Sequence, residues 1–246
     1  MINKGFTLIE LVIAIAVGSL IMLAVYGTVN MSQHSSSSIE RRVIAQQDVR
    51  GALDLMALEI RMASYNQSLD NTIWRAPNCI SASANPTYKG IQAATANSIT
   101  IEMDIFDTSK IPPPVPAPQP FGQNSNEIIT YTYSAANLLV SRSTNCGPAL
   151  SFIGDTAASG RRVVRVINDL NASNAYEAGV DVPIFRYFDF QNNEILPASL
   201  PAAIPNIRTI EISLVVETEN IDPTTNIRKK LVYSTRVIPR NHGANP

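Results

Sequence analysis

Near its start the chain reads Gly5-Phe6-Thr7-Leu8-Ile9-Glu10, and residues 11–29 (LVIAIAVGSLIMLAVYGTV) then contain no charged side chain. As a helix, this run would be about 28 Å long, close to the ~30 Å hydrocarbon core of a bilayer. A core helix of a soluble domain would carry a polar residue at every third or fourth position, and this run has no such face. The run therefore predicts a membrane-spanning helix.

Two general explanations of this run leave a feature unexplained. A secretory signal peptide would use Lys4 as its cationic region, but the nearby A-x-A cleavage pattern, residues 14–16, lies inside the run. An ordinary signal anchor explains the length. It leaves Glu10 in or at the edge of the hydrocarbon, where a carboxylate costs about 2.5–3.5 kcal/mol on insertion scales.

A third explanation accounts for Glu10. The order G-F-T-L-x-E in residues 5–10 resembles the class III signal of type IV prepilins. The resemblance implies that a dedicated membrane peptidase cuts between Gly5 and Phe6 and methylates the new N-terminus at Phe6. A glycine before the cut leaves the backbone unobstructed. It also implies that Glu10, the fifth residue of the mature chain, meets the cationic N-terminus of a neighbouring subunit, which offsets its burial.

The same resemblance divides the N-terminal part of the chain. Residues 1–5 would be the leader peptide, and residues 6–31 a membrane helix that becomes part of the fibre core. Residues 32–63 are predicted to form a serine-rich joint of low helix propensity, at which the helix could loosen, and then an amphipathic helix. Its apolar residues follow an approximate i, i+3, i+4 stripe that should pack on a sheet: Ile39, Val43, Val49, Leu53, Met56, Ile60 and Ala63.

Residues 64–246 are predicted to form a β-rich head. Alternating polar and apolar residues or β-prone runs mark seven candidate strands: residues 98–104, 127–134, 137–143, 162–168, 182–190, 207–219 and 230–238. Turns are predicted at Ala135-Ala136, at Asn192-Asn193 and over residues 222–226. Residues 111–120, rich in proline, should form an extended loop. The predicted fold class is α+β: a long N-terminal hydrophobic helix with an antiparallel β-sheet head, as in pilins.

Several head segments resemble large minor pilins of the PilW type: residues 98–104, 127–133, 138–142, 185–189, 207–208 and 235–241. The resemblance implies a non-catalytic subunit of an initiation or tip complex for pilus assembly. Its implied partners are other minor pilins, the major pilin, the prepilin peptidase/N-methyltransferase and the inner membrane. The head would lie in the periplasm before assembly, and the subunit would lie at the pilus tip afterwards.

Two alternatives stay open at this point. The same segments are similar to J-type minor pseudopilins of type II secretion, which share the architecture. A membrane-tethered binding module, such as an adhesin or DNA-uptake subunit, would need convergent polar groups in a concave site. The sequence shows no such cluster.

Cys79 and Cys146 both follow the membrane helix. An even pair outside the cytoplasm favours a disulfide, which would enclose about seventy residues and stabilise the head by about 4 kcal/mol in the loop-entropy account. Two free thiols or an intermolecular bridge are the alternatives.

Composition and motifs argue against other chemistry. The 19 Lys and Arg residues nearly balance the 20 Asp and Glu residues, so the chain lacks an overall basic footprint and no nucleic acid is expected. With two histidines and no nucleophile, zinc or phosphate motif, the sequence predicts no catalytic residue, metal site or cofactor. The basic clusters at residues 161–165 and 228–230 are interpreted as solvated strand ends. The oxygen-rich residues Glu219, Asp222 and Asn226 are interpreted as a hairpin loop, with calcium as the alternative.

Overall fold

The computed structural model describes residues 7–66, 88–105, 126–154, 164–168, 182–200, 202–222 and 226–242. Its main feature is one α-helix, α1 (Leu8–Arg61), of 54 residues. At 1.5 Å per residue the helix is about 80 Å long. Only its C-terminal part packs on the head, so the remainder projects as a stalk. The predicted α+β layout, a long apolar helix followed by antiparallel sheets, is confirmed.

The head-facing side of α1 is formed mainly by small and medium apolar residues: Ala45, Val49, Ala52, Leu53, Met56, Ala57 and Ile60. The predicted stripe is confirmed from Val49 onward. It is wrong at Ile39 and Val43, which are 62% and 44% exposed. The alanines allow the helix to approach the sheets closely, and an apolar-stripe pattern built on large residues does not detect them.

The serine-rich segment does not interrupt the helix, although its composition predicts loosening. Ser37 donates its hydroxyl hydrogen to the backbone carbonyl of His34 at 3.0 Å. Ser38 donates to the Asp222 carboxylate of the head at 3.1 Å. The local bond satisfies the hydroxyl inside the helix, and the tertiary bond fixes the point at which the helix meets the head.

The first sheet has the strand order β1-β2-β3-β4-β5, and all its neighbours are antiparallel. Its strands are β1 (Ile91–Ala94), β2 (Ser98–Glu102), β3 (Ile128–Ser134), β4 (Leu139–Thr144) and β5 (Leu150–Ile153). The β3–β4 hairpin turns at the predicted Ala135-Ala136, and Leu138 in this turn has a φ of 56°.

The second sheet has the order β10-β9-β7-β8, and β6 also pairs with β9. Its strands are β6 (Val164–Val166), β7 (Phe185–Phe188), β8 (Glu194–Ile195), β9 (Thr209–Thr218) and β10 (Lys230–Val237). A short 3-10 helix, Ile204–Asn206, precedes β9. The longest pairing joins β9 and β10 antiparallel over eight residue pairs. Side chains from both sheets and α1 form one apolar core.

Each of the seven predicted strands overlaps an observed strand, in every case a shorter one. The strands β1, β5 and β8 were not predicted. All three are short, with two to four residues, and β1 and β5 lie at the edges of the first sheet. The proline-rich residues 111–120 lie outside the described residues.

Candidate functional site: the N-terminal helix and its attachment to the head

The start of α1 is stabilised by a capping box formed by Thr7 and Glu10. The backbone N–H and the hydroxyl of Thr7 donate to Glu10 Oε2 at 2.9 and 2.8 Å. The backbone N–H of Glu10 donates to Thr7 Oγ1 at 3.4 Å. The S/T-x-x-E spacing that signals such a cap is present in the sequence, although the cap was not predicted. The predicted site residues Gly5 and Phe6 lie outside the described residues.

The apolar stalk of α1 is exposed along its whole circumference. Every residue from Leu8 to Ser36 is exposed, including Leu20, Met22 and Leu23 at 70–74%. Within the described part of the chain, α1 is the one helix long and apolar enough to cross a membrane. Such a surface requires a lipid or protein environment that a single chain in water does not provide.

A polar cluster joins the packed half of α1 to the first sheet. Arg142 of β4 donates to both carboxylate oxygens of Glu59, from Nη2 at 2.6 Å and from Nε at 3.2 Å. The hydroxyl of Tyr131 donates to Glu59 Oε2 at 2.5 Å, and Arg142 also donates to Asn126. Burial raises the pKa of the Tyr131 hydroxyl, and the Glu59 carboxylate raises it further. Burial lowers the pKa of Arg142, but its bond to Glu59 outweighs this and the net direction is upward.

Contacts with the second sheet show how α1 is oriented along the head. Ser38 contacts Asp222, the guanidinium of Arg50 lies 5.6 Å from the ring centroid of Tyr233, and the backbone N–H of Arg240 donates to the Arg61 carbonyl at 3.3 Å. Residue numbers therefore increase in the same direction along α1 and β10. The turn between β9 and β10 consequently lies at the end of the head nearest to the apolar stalk.

The basic clusters considered in the sequence contact acids where the structure describes them. Arg165 lies 3.0 Å from Glu217, and Lys229 lies 3.1 Å from Asp222. Arg228 lies 4.0 Å from Glu217 and donates to the Glu219 carbonyl. These pairs reduce the positive potential that a phosphate backbone would need.

Three acidic side chains of the head, including Asp222 of the oxygen-rich loop, have structural contacts. Asp222 accepts hydrogen bonds from Ser38 and contacts Lys229. Asp189 accepts the backbone N–H groups of Gln191 and Asn193 in its own turn, and Glu194 lies 3.7 Å from Arg186. In the described ranges, no group of three or more His, Cys, Asp or Glu residues is placed to hold a metal ion.

Two buried polar residues were not identified from the sequence. His242 is 5% exposed; its Nδ1 lies 2.7 Å from the Lys89 carbonyl and its Nε2 lies 2.9 Å from the Ile204 carbonyl. Burial lowers the pKa of this imidazole. Glu102 is fully buried, accepts a hydrogen bond from Gln92 Nε2 at 2.7 Å, and has its pKa raised to about 8 by burial. Neither was marked by a motif, because the burial arises from tertiary packing.

The predicted disulfide is described at one end only. Cys146 lies two residues after the end of β4, in the left-handed region with a φ of 57°, and it is not a free thiol. Cys79 lies outside the described residues. The pairing of the two cysteines therefore stays a prediction.

Comparison with known proteins identifies the N-terminal segment. Residues 1–26 match the prokaryotic N-terminal methylation motif. No curated protein matches the chain, and no solved structure matches it. The match supports a type IV prepilin-like protein, and with the exposed apolar helix it is consistent with membrane anchoring and pilus assembly. The matched residues end within the stalk, before the head begins.

Proposed function

We propose that the chain is a minor pilin of a type IV pilus, a non-catalytic structural subunit of an initiation or tip complex. The observation that carries the proposal is the methylation motif at the start of a helix that continues into an apolar run, residues 11–29, in which every residue is exposed. This run is about 28 Å long. Its environment would be the inner membrane before assembly, with the head in the periplasm, and neighbouring helices in the fibre afterwards.

Processing would prepare the helix for assembly. The prepilin peptidase removes residues 1–5 and methylates the amine of Phe6. Both Thr7 hydrogen bonds to Glu10 go to Oε2, so Oε1 is available to accept from the ammonium group of a neighbouring subunit. The apolar surroundings would strengthen this pair once water is excluded.

The head would determine which subunits assemble with this one. The Glu59–Arg142–Tyr131 cluster and the Ser38–Asp222 contact fix the head to the helix at two separate levels. A neighbour that binds the head would therefore set the position of the helix as well. The proposed neighbours are other minor pilins and then the major pilin, and the subunit would reach the cell surface at the pilus tip.

A J-type minor pseudopilin of type II secretion would use the same motif and the same layout. Co-purification separates the two functions: we expect the head to retain other minor pilins, and retention of secretion pseudopilins instead would favour the alternative. An adhesin or DNA-uptake role would require a ligand that binds the head in isolation from the other subunits.

Mass spectrometry of the membrane-extracted protein tests the assignment. The mature chain should begin at Phe6 and carry one additional methyl group. Gly5→Leu should retain residues 1–5, because a side chain before the cut obstructs the peptidase. Gly18→Leu is the matched control, since Gly18 has open space around it within the same apolar segment, and it should be processed normally. A mature chain that keeps residues 1–5 would refute the proposal.

A further inference from the structure

The turn between β9 and β10, here the lower turn (residues 219–222 and 226–229), lies beside the stalk at the lower end of the head. Ser37 and Ser38 are half-buried where the head begins, whereas every residue of α1 before them is exposed. Ser38 is about 14 Å along the helix from Val29, the last residue of the apolar run. Because the headgroup region extends roughly 5–8 Å beyond the hydrocarbon, the level of Ser38 is only about 6–9 Å outside the lipid surface when the helix is upright. A helix tilt of about 20° would bring one side of the head still closer.

Two large apolar side chains are exposed on this turn. Ile227 is 64% exposed and Ile221 is 44% exposed. The backbone N–H of Asp222 donates to the Ile227 carbonyl at 3.0 Å, which holds both isoleucines at the base of the turn. Neither isoleucine belongs to the apolar core, so packing of the core does not explain why these two residues are apolar.

The described part of the turn carries two cations and two acids, so it has no net charge. Arg228 and Lys229 directly follow Ile227, and their side chains are 34% and 40% exposed. Lys229 lies 3.1 Å from the Asp222 carboxylate, and Arg228 lies 4.0 Å from the Glu217 carboxylate. The acids are therefore balanced by cations, and an anionic lipid surface would not be repelled. Apolar side chains next to Lys and Arg are the combination that favours the membrane interface.

We propose that the lower turn rests on the lipid headgroups of the membrane that α1 spans, with Ile221 and Ile227 in the interface and Arg228 and Lys229 beside the phosphates. The inference depends on the proposed function for one point, the membrane-spanning position of residues 11–29. It adds a second attachment to the helix. This attachment would fix the height and rotation of the head before assembly, and it would have to be released when the subunit leaves the membrane.

Hydrogen exchange of the full-length chain in nanodiscs tests the contact, with one chain per disc. Amides of the lower turn should exchange at least about threefold more slowly in discs containing phosphatidylglycerol than in detergent. Ile227→Asp should abolish this protection, and Ile227→Trp should retain it, because tryptophan is favoured at the interface. Ile238→Asp is the matched control: Ile238 is 62% exposed but lies beyond the opposite end of β10.

The outcomes separate this inference from the proposed function. Protection in phosphatidylcholine discs as well would support the contact and assign it to the isoleucines. Exchange that is equal in discs and detergent, or equally affected by Ile227→Asp and Ile238→Asp, would overturn the inference. The same samples report processing by mass: a turn without protection on a correctly cleaved and methylated chain refutes only the lipid contact. If the turn is protected but the chain is uncleaved, the lipid contact is supported and the pilin assignment is refuted.

Discussion

Glu59 in α1 and Arg142 in β4 approach to 2.6 Å and form a two-point ion pair between the helix and the first sheet. Their side chains are only 12% and 22% exposed. Water therefore screens this pair much less than the exposed pairs on the second sheet. The Glu59 carboxylate also accepts a hydrogen bond from the Tyr131 hydroxyl of β3. Side chains from α1, β3 and β4 therefore meet at one carboxylate.

Removing one partner should destabilise the head. Glu59→Gln or Arg142→Met leaves a partly buried charge without its counter-charge, which should lower the free energy of unfolding by about 1–3 kcal/mol. Urea unfolding of the detergent-solubilised chain, followed by circular dichroism, measures this. Glu211→Gln is the control because its partner Arg236 is 52% exposed, and it should cost less than about 1 kcal/mol. Equal losses for both sites would contradict the structural role of the buried pair.

The pair illustrates what the sequence could and could not predict. The apolar run, the later part of the helical stripe and the longer strands follow from local periodicity, and they were predicted. The meeting of Glu59 with Arg142 depends on how a helix packs on a strand some eighty residues later in the chain. No local pattern contains that information. The same holds for His242, which reaches its partners Lys89 and Ile204 from the C-terminal tail.

Alternation along β2 also misleads about burial. The order Ile99-Thr100-Ile101-Glu102 predicts an apolar inner face and a polar outer face. In the structure Thr100 is 3% exposed and Glu102 is fully buried. Thr100 bonds Thr130 on the neighbouring strand at 2.9 Å, and Glu102 accepts from Gln92. Both faces of this strand are therefore covered, and the polar residues are accommodated by cross-strand hydrogen bonds.

The buried Glu102 should make stability depend on pH. Burial raises its folded-state pKa from 4.5 to about 8, so the folded protein keeps a proton that the unfolded chain has released. The stability associated with this proton is complete below about pH 4.5 and is lost as the pH rises towards 8. Glu102→Gln should remove this dependence and raise the free energy of unfolding at pH 7 by about 1–3 kcal/mol.

Unfolding of both proteins at pH 5 and pH 8 checks this prediction. The wild type should lose more stability between the two values than the Gln variant does. Glu211→Gln again serves as a control, because its carboxyl pairs with Arg236 on the exposed face and the substitution should leave the difference between pH 5 and pH 8 intact. Identical pH dependence in wild type and Glu102→Gln would show that Glu102 is ionised in the folded state.

The cysteines give a prediction about the middle of the head. If Cys79 pairs with Cys146, non-reducing peptide mapping will recover the two cysteines in one cross-linked fragment. Cys79→Ser should then lower the free energy of unfolding by about 2–5 kcal/mol. Cys146→Ser should lower it by the same amount, and the double variant should lose no more than either single one, since one bond is removed in each case. Additive losses would exclude a shared disulfide.

The capping box allows two roles of Glu10 to be separated, because its carboxylate both caps α1 and is proposed to bind a neighbour. Glu10→Gln keeps an oxygen that can accept from the Thr7 N–H but removes the charge. Thr7→Ala keeps the charge but removes the hydroxyl cap, at a cost of about 1 kcal/mol to the helix. If assembly depends on pairing with the processed N-terminus, Glu10→Gln should reduce incorporation into pili by at least about tenfold and Thr7→Ala should reduce it little.

Quantitative immunoblotting of sheared pili, normalised to the processed protein in the membrane, compares the two variants. Equal defects would show that Glu10 acts as a helix cap. Normal incorporation of Glu10→Gln would show that assembly does not require the charge of Glu10.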